Sequence, residues 1–140
     1  MAMENYKDLL EWQKAVELTV EVAALTKKLA KAENLRGEVS RQHVYNRDAE
    51  AIALDIATAS GRAAMPHEQL RFISAAQGTT FRLETRLLLD VRREYVQQVD
   101  AEPALKLCAE LGEILNSKIA TLSEACPNRN RQSIANSLDS

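Results

Sequence analysis

Hydrophobic positions recur along the chain at intervals of three and four residues, in four long stretches separated by short polar or proline-containing breaks. This spacing is typical of amphipathic helices. It predicts helices over about residues 5–32, 38–64, 66–95 and 101–125. Because short connections between long helices favour antiparallel neighbours, the pattern predicts an all-α, up-down-up-down four-helix bundle over residues 1–126.

Local signals support these boundaries. Asn5 is a suitable N-cap for the first helix, and Pro66 is tolerated in the first turn of the third. Asp100 can cap the fourth helix, which Pro127 ends because proline cannot continue a helix. The remaining segment, residues 127–140, is polar and is predicted to be a disordered tail.

The first helix carries two apolar stripes rather than one. The first stripe consists of Leu9, Trp12, Val16, Val20 and Ala23. The second stripe consists of Leu18, Val22, Leu25 and Leu29. The two stripes lie about 140° apart around the helix, whereas a monomeric bundle requires a single stripe of about 100°. We therefore expect the second stripe to contact a neighbouring subunit in a homo-oligomer. Burial of each leucine or valine at that contact would contribute about 1.5–3 kcal/mol to the free energy of association.

One alternative is a first helix that its own chain buries on both sides, for instance beneath a folded-back tail. A helix lying on a membrane surface is disfavoured, because the polar arcs mix glutamate with lysine instead of presenting a basic face. Trp12, the only tryptophan, belongs to the first stripe. We interpret it as a packing anchor in the core or an interface, not as a ligand-stacking residue.

Composition agrees with a helical, soluble class. Aromatic residues make up only 4% of the chain, and four glycines and three prolines leave few helix breakers. No apolar stretch reaches the ~18 residues of a membrane span, and the opening residues do not resemble a signal peptide. The two cysteines form no metal-binding spacing. We expect a cytoplasmic protein with free thiols, no cofactor and no membrane association.

The charge distribution gives a second functional hypothesis. The net charge is −2, which offers no global attraction for nucleic acid. Between Arg36 and Arg93, however, every basic residue is an arginine, the side chain suited to bidentate phosphate binding. Candidate contacts to RNA or DNA are Arg36, Arg41, Arg47 and Arg62. Pairing of these arginines with acids on neighbouring helices is the alternative, and interleaved aromatic residues typical of single-strand binders are missing.

Catalytic chemistry finds little support in the sequence. Glu84 lies between Phe81 and Leu88 in the third helix, so it is predicted to be buried and paired with Arg47, or else with Arg41. An enzyme using Glu84 or Asp55 is disfavoured, because one carboxylate without a second, a metal cluster or a nucleophile does not make a hydrolytic site. We expect no enzyme, no metal site and no small-molecule substrate.

The segment YKDLLEWQKAVEL, residues 6–18, resembles the opening of the four-helix-bundle proteins also known as 23S rRNA intervening-sequence proteins. The matching residues are Tyr6, Asp8, Leu9, Trp12, Gln13, Lys14, Ala15, Glu17 and Leu18. Two further segments, RDAEAIALDIATASGR at 47–62 and FISAAQGTTFRLETRLLL at 72–89, resemble the family's later motifs in the same order. The family's Asn-Ile-Ala-Glu-Gly reads Asp55-Ile56-Ala57-Thr58-Ala59 here, so an activity carried by that Asn and Glu would be lost.

The resemblance, over about residues 6–125, implies a four-helix bundle assembled as a ring, commonly a pentamer. Related proteins are accessory factors of diversity-generating retroelements, in which a basic pentameric barrel is thought to bind nucleic acid and a reverse transcriptase. Two functions therefore stand as hypotheses for this chain. The first is a homo-oligomeric scaffold or interaction module, and the second is an oligomeric RNA- or DNA-binding accessory protein that uses the arginines of the second helix.

Overall fold

The computed structural model of the chain describes residues 5–32 and 38–126. Those residues form four α-helices and one short 3₁₀ turn, and they contain no strand. The helices are α1 (Leu10–Ala32), α2 (Glu38–Ser60), α3 (Pro66–Arg92) and α4 (Gln98–Ala125). The prediction of an all-α fold with four helices is confirmed. The predicted tail, residues 127–140, lies outside the described residues.

Several helix ends differ from the predicted ones for local reasons. The predicted cap Asn5 begins the 3₁₀ turn Tyr6–Asp8, where its Oδ1 accepts a hydrogen bond from the Lys7 backbone N–H at 3.0 Å. Leu9 then adopts an extended conformation, so α1 begins only at Leu10. The second helix ends at Ser60, before the turn that leads to Pro66, and α4 already begins at Gln98.

The core lies between all four helices. Within the described chain α1 packs against α2 and α4, α3 packs against the same two helices, and α1 and α3 do not contact each other. The largest fully buried hydrophobic side chains are Leu18, Val22, Tyr45, Ile52, Ile56, Ile73, Leu83, Leu87, Leu111 and Leu115. Opposite sides of the bundle are therefore formed by α1 and α3.

The second stripe of α1 lies in the core, where the sequence pattern predicted a subunit contact. Leu18 and Val22 are 0% exposed and Leu25 is buried beside them, while Leu29 is partly buried against the same core. The prediction that these four residues form a subunit interface is wrong, because α2 and α4 of the same chain cover that side of α1. The first stripe instead faces outward at Val20, which is 63% exposed.

Trp12, predicted to be a packing anchor, lies at the edge of the core. Its side chain is partly buried and packs against the core cluster. The Tyr6 ring meets it edge to face, with 5.5 Å between the ring centroids. The 3₁₀ turn therefore folds back over the start of α1 and shields one side of the indole.

Ion pairs connect α1 with α4. Lys118 Nζ lies 2.5 Å from Oε2 of the buried Glu11, and Lys14 pairs with Glu110 one turn further along α1. Hydrogen bonding to Lys14 lowers the pKa of Glu110. These pairs favour one alignment of α1 against α4, because a shift of either helix would leave partly desolvated charges without a partner.

Candidate nucleic-acid interface

Two carboxylates are buried where α2 packs against α3. Asp48 on α2 and Asp90 on α3 have side chains that are only 4% and 5% exposed. A buried carboxylate is costly unless cations or hydrogen-bond donors surround it. The groups that satisfy these two acids are mainly arginines, and together they define a distinct surface of the bundle.

Asp90 is held by a phenol and two guanidinium groups. The Tyr45 hydroxyl donates to its Oδ2 at 2.5 Å. Arg41 Nε lies 3.8 Å from Oδ2, and Arg93 Nη1 lies 3.7 Å from Oδ1. Burial, followed by the hydrogen bond and the charge of Asp90, raises the pKa of Tyr45 far above its usual range. The phenol therefore stays protonated as a donor, and the Arg41 guanidinium also stacks over the Tyr95 ring at 4.2 Å.

Asp48 is surrounded by three arginines from both helices. Arg47 Nη2 lies 4.0 Å from its Oδ1, while Arg82 Nε and Arg86 Nη2 lie 3.9 Å and 3.8 Å from its Oδ2. These distances are those of ion pairs, too long for hydrogen bonds. Accordingly Asp48 Oδ2 and Arg86 Nε are buried atoms without a hydrogen-bond partner in the protein. The arginines are attracted to Asp48 but are not locked by it.

A groove of about 730 Å³ runs over this surface. Its charged lining is Arg41, Arg82, Arg86 and Arg93 with one acid, Asp90. We call it the arginine groove. Five guanidinium groups, including that of Arg47 beside the groove, lie around the two buried carboxylates. The carboxylates are buried while most of the arginines reach solvent, which exposes the positive charge to an incoming anion.

A comparison with protein families identifies the family of this chain. The sequence model of the 23S rRNA-intervening sequence protein family matches residues 7–117, which is most of the chain. The chain belongs to this family. No curated protein and no solved structure matches it. The resemblance inferred from the three sequence motifs is thereby confirmed for this intervening-sequence family member.

The four predicted nucleic-acid contacts are not gathered in one place. Arg41 lines the arginine groove, and Arg47 lies beside it. Arg62 belongs to the turn after α2, where its Nε lies 3.4 Å from Glu68 Oε2. Arg36 lies outside the described residues. Of the three candidate contacts that the structure describes, only Arg41 and Arg47 therefore contribute to this surface of the family member.

The nucleic-acid contacts predicted from the sequence do not include the arginines in and just after α3. Arg82, Arg86 and Arg93 are spaced by four and seven residues, an interval that keeps side chains on one side of a helix. That spacing was the available signal. Its meaning depends on Asp48 and Asp90, whose burial and arginine partners follow from the packing of α2 on α3.

The predicted ion pair between Glu84 and Arg47 is wrong. Arg47 pairs with Asp48, its neighbour on α2. Glu84 lies on the other side of α3, where it lines a cavity of about 400 Å³ together with Cys108 of α4. Burial, with the nearby Glu84 charge, raises the pKa of the Cys108 thiol to about 12. Glu84 is only partly buried, so it does not need the cation that the sequence pattern suggested.

In the described residues, no group of three or more His, Cys, Asp or Glu side chains could hold a metal ion. None of the helices in those ranges is long and apolar enough to cross a membrane. Both cysteines, Cys108 and Cys126, are buried free thiols.

Proposed function

We propose that this family member is a non-enzymatic, cytoplasmic protein that binds RNA or DNA as a homo-oligomer, with the arginine groove as the phosphate-binding surface. The observation that supports the proposal is the grouping of five arginines over the two buried carboxylates Asp48 and Asp90. Nucleic acid is a polyanion, and arginine contacts to its phosphates supply most of the sequence-independent affinity.

Local grouping of charge makes the proposal compatible with a net charge of −2. The arginines around Asp48 and Asp90 come from α2, α3 and the residue after α3, whereas α4 carries five acids against two lysines. Ion pairing with Asp48 and Asp90 holds the guanidinium groups near their working positions. Less side-chain freedom is then lost on binding, which favours affinity.

The test is a binding titration with labelled RNA and DNA at several salt concentrations. The double variant Arg82→Gln/Arg86→Gln is expected to bind about ten-fold or more weakly at low salt, with a salt slope smaller by about 0.7–0.9 for each lost phosphate contact. The matched control is Arg62→Gln/Arg71→Gln, which removes two exposed arginines outside the groove. Equal losses in both double variants, or no binding by the wild-type protein at low salt, would remove the groove from consideration.

The outer side of α1 supports the homo-oligomeric scaffold function. Val20 points away from the core and is flanked by the half-buried Val16 and Ala23, so the apolar first stripe is left partly uncovered. We propose that a second copy covers this stripe in a ring, with five subunits favoured by the family resemblance. A ring would repeat the arginine groove in every subunit, so that weak phosphate contacts add up across the assembly.

Light scattering tests this assembly. The wild-type protein is expected to have a mass five times 15.6 kDa. Val20→Lys is expected to yield smaller species, because a charge in an apolar contact is costly to desolvate. The control is Val99→Lys, which alters a valine of similar exposure, 67%, on α4. A wild-type species of 15.6 kDa at micromolar concentration would overturn the proposal.

We further propose that the helices run up-down-up-down, with sequential neighbours antiparallel. Ion pairs support this order for α1 and α4: Glu11 near the start of α1 meets Lys118, and Lys28 further along meets Asp100 near the start of α4. The connections from α2 to α3 and from α3 to α4 have five residues each, too short for a parallel crossover. Cross-linking of cysteines placed at positions 28 and 100 would check the orientation.

A further inference from the structure

An aromatic side chain is exposed inside the arginine groove. Phe81 on α3 lines the groove next to Arg82 and is 49% exposed. The other phenylalanine, Phe72, packs partly buried against the core. Phe81 lies at the border of the groove, because it also lines the cavity on the α4 side that contains Glu84 and Glu113. Its half-exposed ring is an aromatic group of the kind that single-strand binders use.

Two glycines leave space around the Phe81 ring. A Cβ atom on Gly112 of α4 would lie 3.4 Å from Phe81 Cε1, so one edge of the ring is at contact distance from that backbone. Gly78 precedes Phe81 by three residues on α3, and a Cβ atom there would meet nothing within 4 Å. Gly78 also lines the arginine groove. The surface next to the ring is therefore bare helix backbone, open to a flat group.

Building on the proposed nucleic-acid function, we propose that Phe81 is a stacking platform for an unpaired base, and that the arginine groove takes single-stranded RNA or DNA in preference to duplex. The guanidinium groups of Arg82 and Arg86 contact the backbone phosphates. A base of a single strand then turns toward α3 and lies on the ring, in the space above Gly78. Bases in a duplex are already stacked on both faces and paired, so they cannot reach an aromatic side chain in this way.

The apolar part of the groove distinguishes this ligand from others of similar charge. An acidic peptide would use the arginines but would have no flat group for the Phe81 ring. Besides Phe81, the groove contains Val44 and Leu89, which match the partly apolar faces of nucleobases. A positively charged groove and an open aromatic face are the two features that a protein needs for sequence-tolerant single-strand binding.

The experiment compares three labelled probes by fluorescence anisotropy: a single strand of about 20 nucleotides, a duplex of the same length, and polyglutamate. The wild-type protein is expected to bind the single strand most tightly. Phe81→Leu, which keeps an apolar side chain but removes the π face, is expected to weaken single-strand binding roughly ten-fold and to leave duplex binding unchanged. Phe81→Tyr keeps the ring and is expected to retain wild-type affinity.

A second variant tests the open space independently of the ring. Gly78→Leu places a side chain where the base would lie, and it is compatible with folding because leucine favours a helix more than glycine does. It is expected to weaken single-strand binding, whereas Leu88→Ala, on the same helix but outside the groove, is expected to have no effect. Far-UV circular dichroism of each variant verifies the fold.

Failure of the platform and failure of the groove give different results. If single strands and duplexes bind equally, or if Phe81→Leu has no effect while Arg82→Gln/Arg86→Gln still weakens binding, Phe81 is not a platform but the phosphate-binding groove stands. Polyglutamate binding as tightly as the single strand would also overturn the inference. If neither nucleic acid binds, both proposals are overturned.

Discussion

The hydroxyl of Tyr45 donates a hydrogen bond to Asp90 Oδ2 at 2.5 Å, and both side chains are buried between α2 and α3. This bond satisfies a carboxylate that also faces Arg41 and Arg93, so it lies directly beneath the arginine groove. The phenol contributes no charge. Because the phenol satisfies one carboxylate oxygen, Asp90 can remain buried without another arginine from the groove surface as its partner.

Removing that hydroxyl should destabilise the fold. Tyr45→Phe is expected to lower the free energy of unfolding by about 1–3 kcal/mol, because one oxygen of a buried charged acceptor loses its donor. Urea unfolding followed by circular dichroism measures the change. Tyr95→Phe is the matched control: its ring is exposed beneath Arg41, and its expected loss is within about 0.5 kcal/mol. Equal losses in both variants would contradict the role of the hydrogen bond.

Alkaline pH should destabilise the protein through Cys108. Burial raises the pKa of this thiol from 9.0 to about 12. Since the raised pKa belongs to the folded state, the associated stability is complete below pH 9.0 and is lost as pH rises toward about 12. Over that interval the free energy of unfolding should fall by up to about 1.4 kcal/mol per pH unit from this group alone.

The pH prediction is checked by repeating urea unfolding across the alkaline range with Cys108→Ala. The variant can be less stable at every pH because it creates a small cavity, so the slopes are compared and not the levels. Wild-type and variant curves should be parallel below pH 9.0 and should converge above it. Curves that stay parallel throughout would show that the thiol does not govern the alkaline loss.

Helix positions and family were predictable from the sequence, but the direction in which α1 faces was not. Periodicity identifies which residues share a side of a helix, and it grouped Leu18 with Val22, both of which are fully buried. It does not say which of two apolar stripes meets the core. That choice depends on how α2 and α4 pack on α1, and the contacts of the folded chain place Leu18 inside and Val20 outside.

The candidate site was only half predictable for a related reason. Asp48 stands among polar neighbours in the sequence, whereas Asp90 follows three leucines, and neither pattern says which groups the carboxylate contacts. Their burial follows from α2 packing against α3, and only then do Arg82 and Arg86 become partners of an acid on another helix. Two apolar residues flank Glu84 and favour its burial in the sequence pattern, yet its side of α3 remains partly open.

The connection between α1 and α4 offers a further prediction. Lys118→Met is expected to destabilise the fold by about 3–5 kcal/mol, because it leaves the buried carboxylate of Glu11 without its cation. Glu11→Gln combined with Lys118→Met should recover part of this loss, since the charge itself is then removed. Lys28→Met is the control: it breaks the more exposed pair with Asp100 and should cost about 0–1 kcal/mol. Thermal unfolding of the four proteins ranks them, and a Lys118→Met variant as stable as Lys28→Met would contradict the prediction.

The two sides of α1 can be compared with a pair of truncations two residues apart. Leu18→Ala removes a fully buried side chain and is expected to lower the free energy of unfolding by about 2–5 kcal/mol, through lost burial and the remaining cavity. Val20→Ala truncates a side chain that is mostly in solvent, so its effect on a single chain should be within about 0.5 kcal/mol. If a second copy covers Val20, the loss should increase with protein concentration, because unfolding is then linked to dissociation. Urea titrations at two protein concentrations measure both effects. A larger loss for Val20→Ala than for Leu18→Ala at low concentration would mean that α1 faces the core with its first stripe after all.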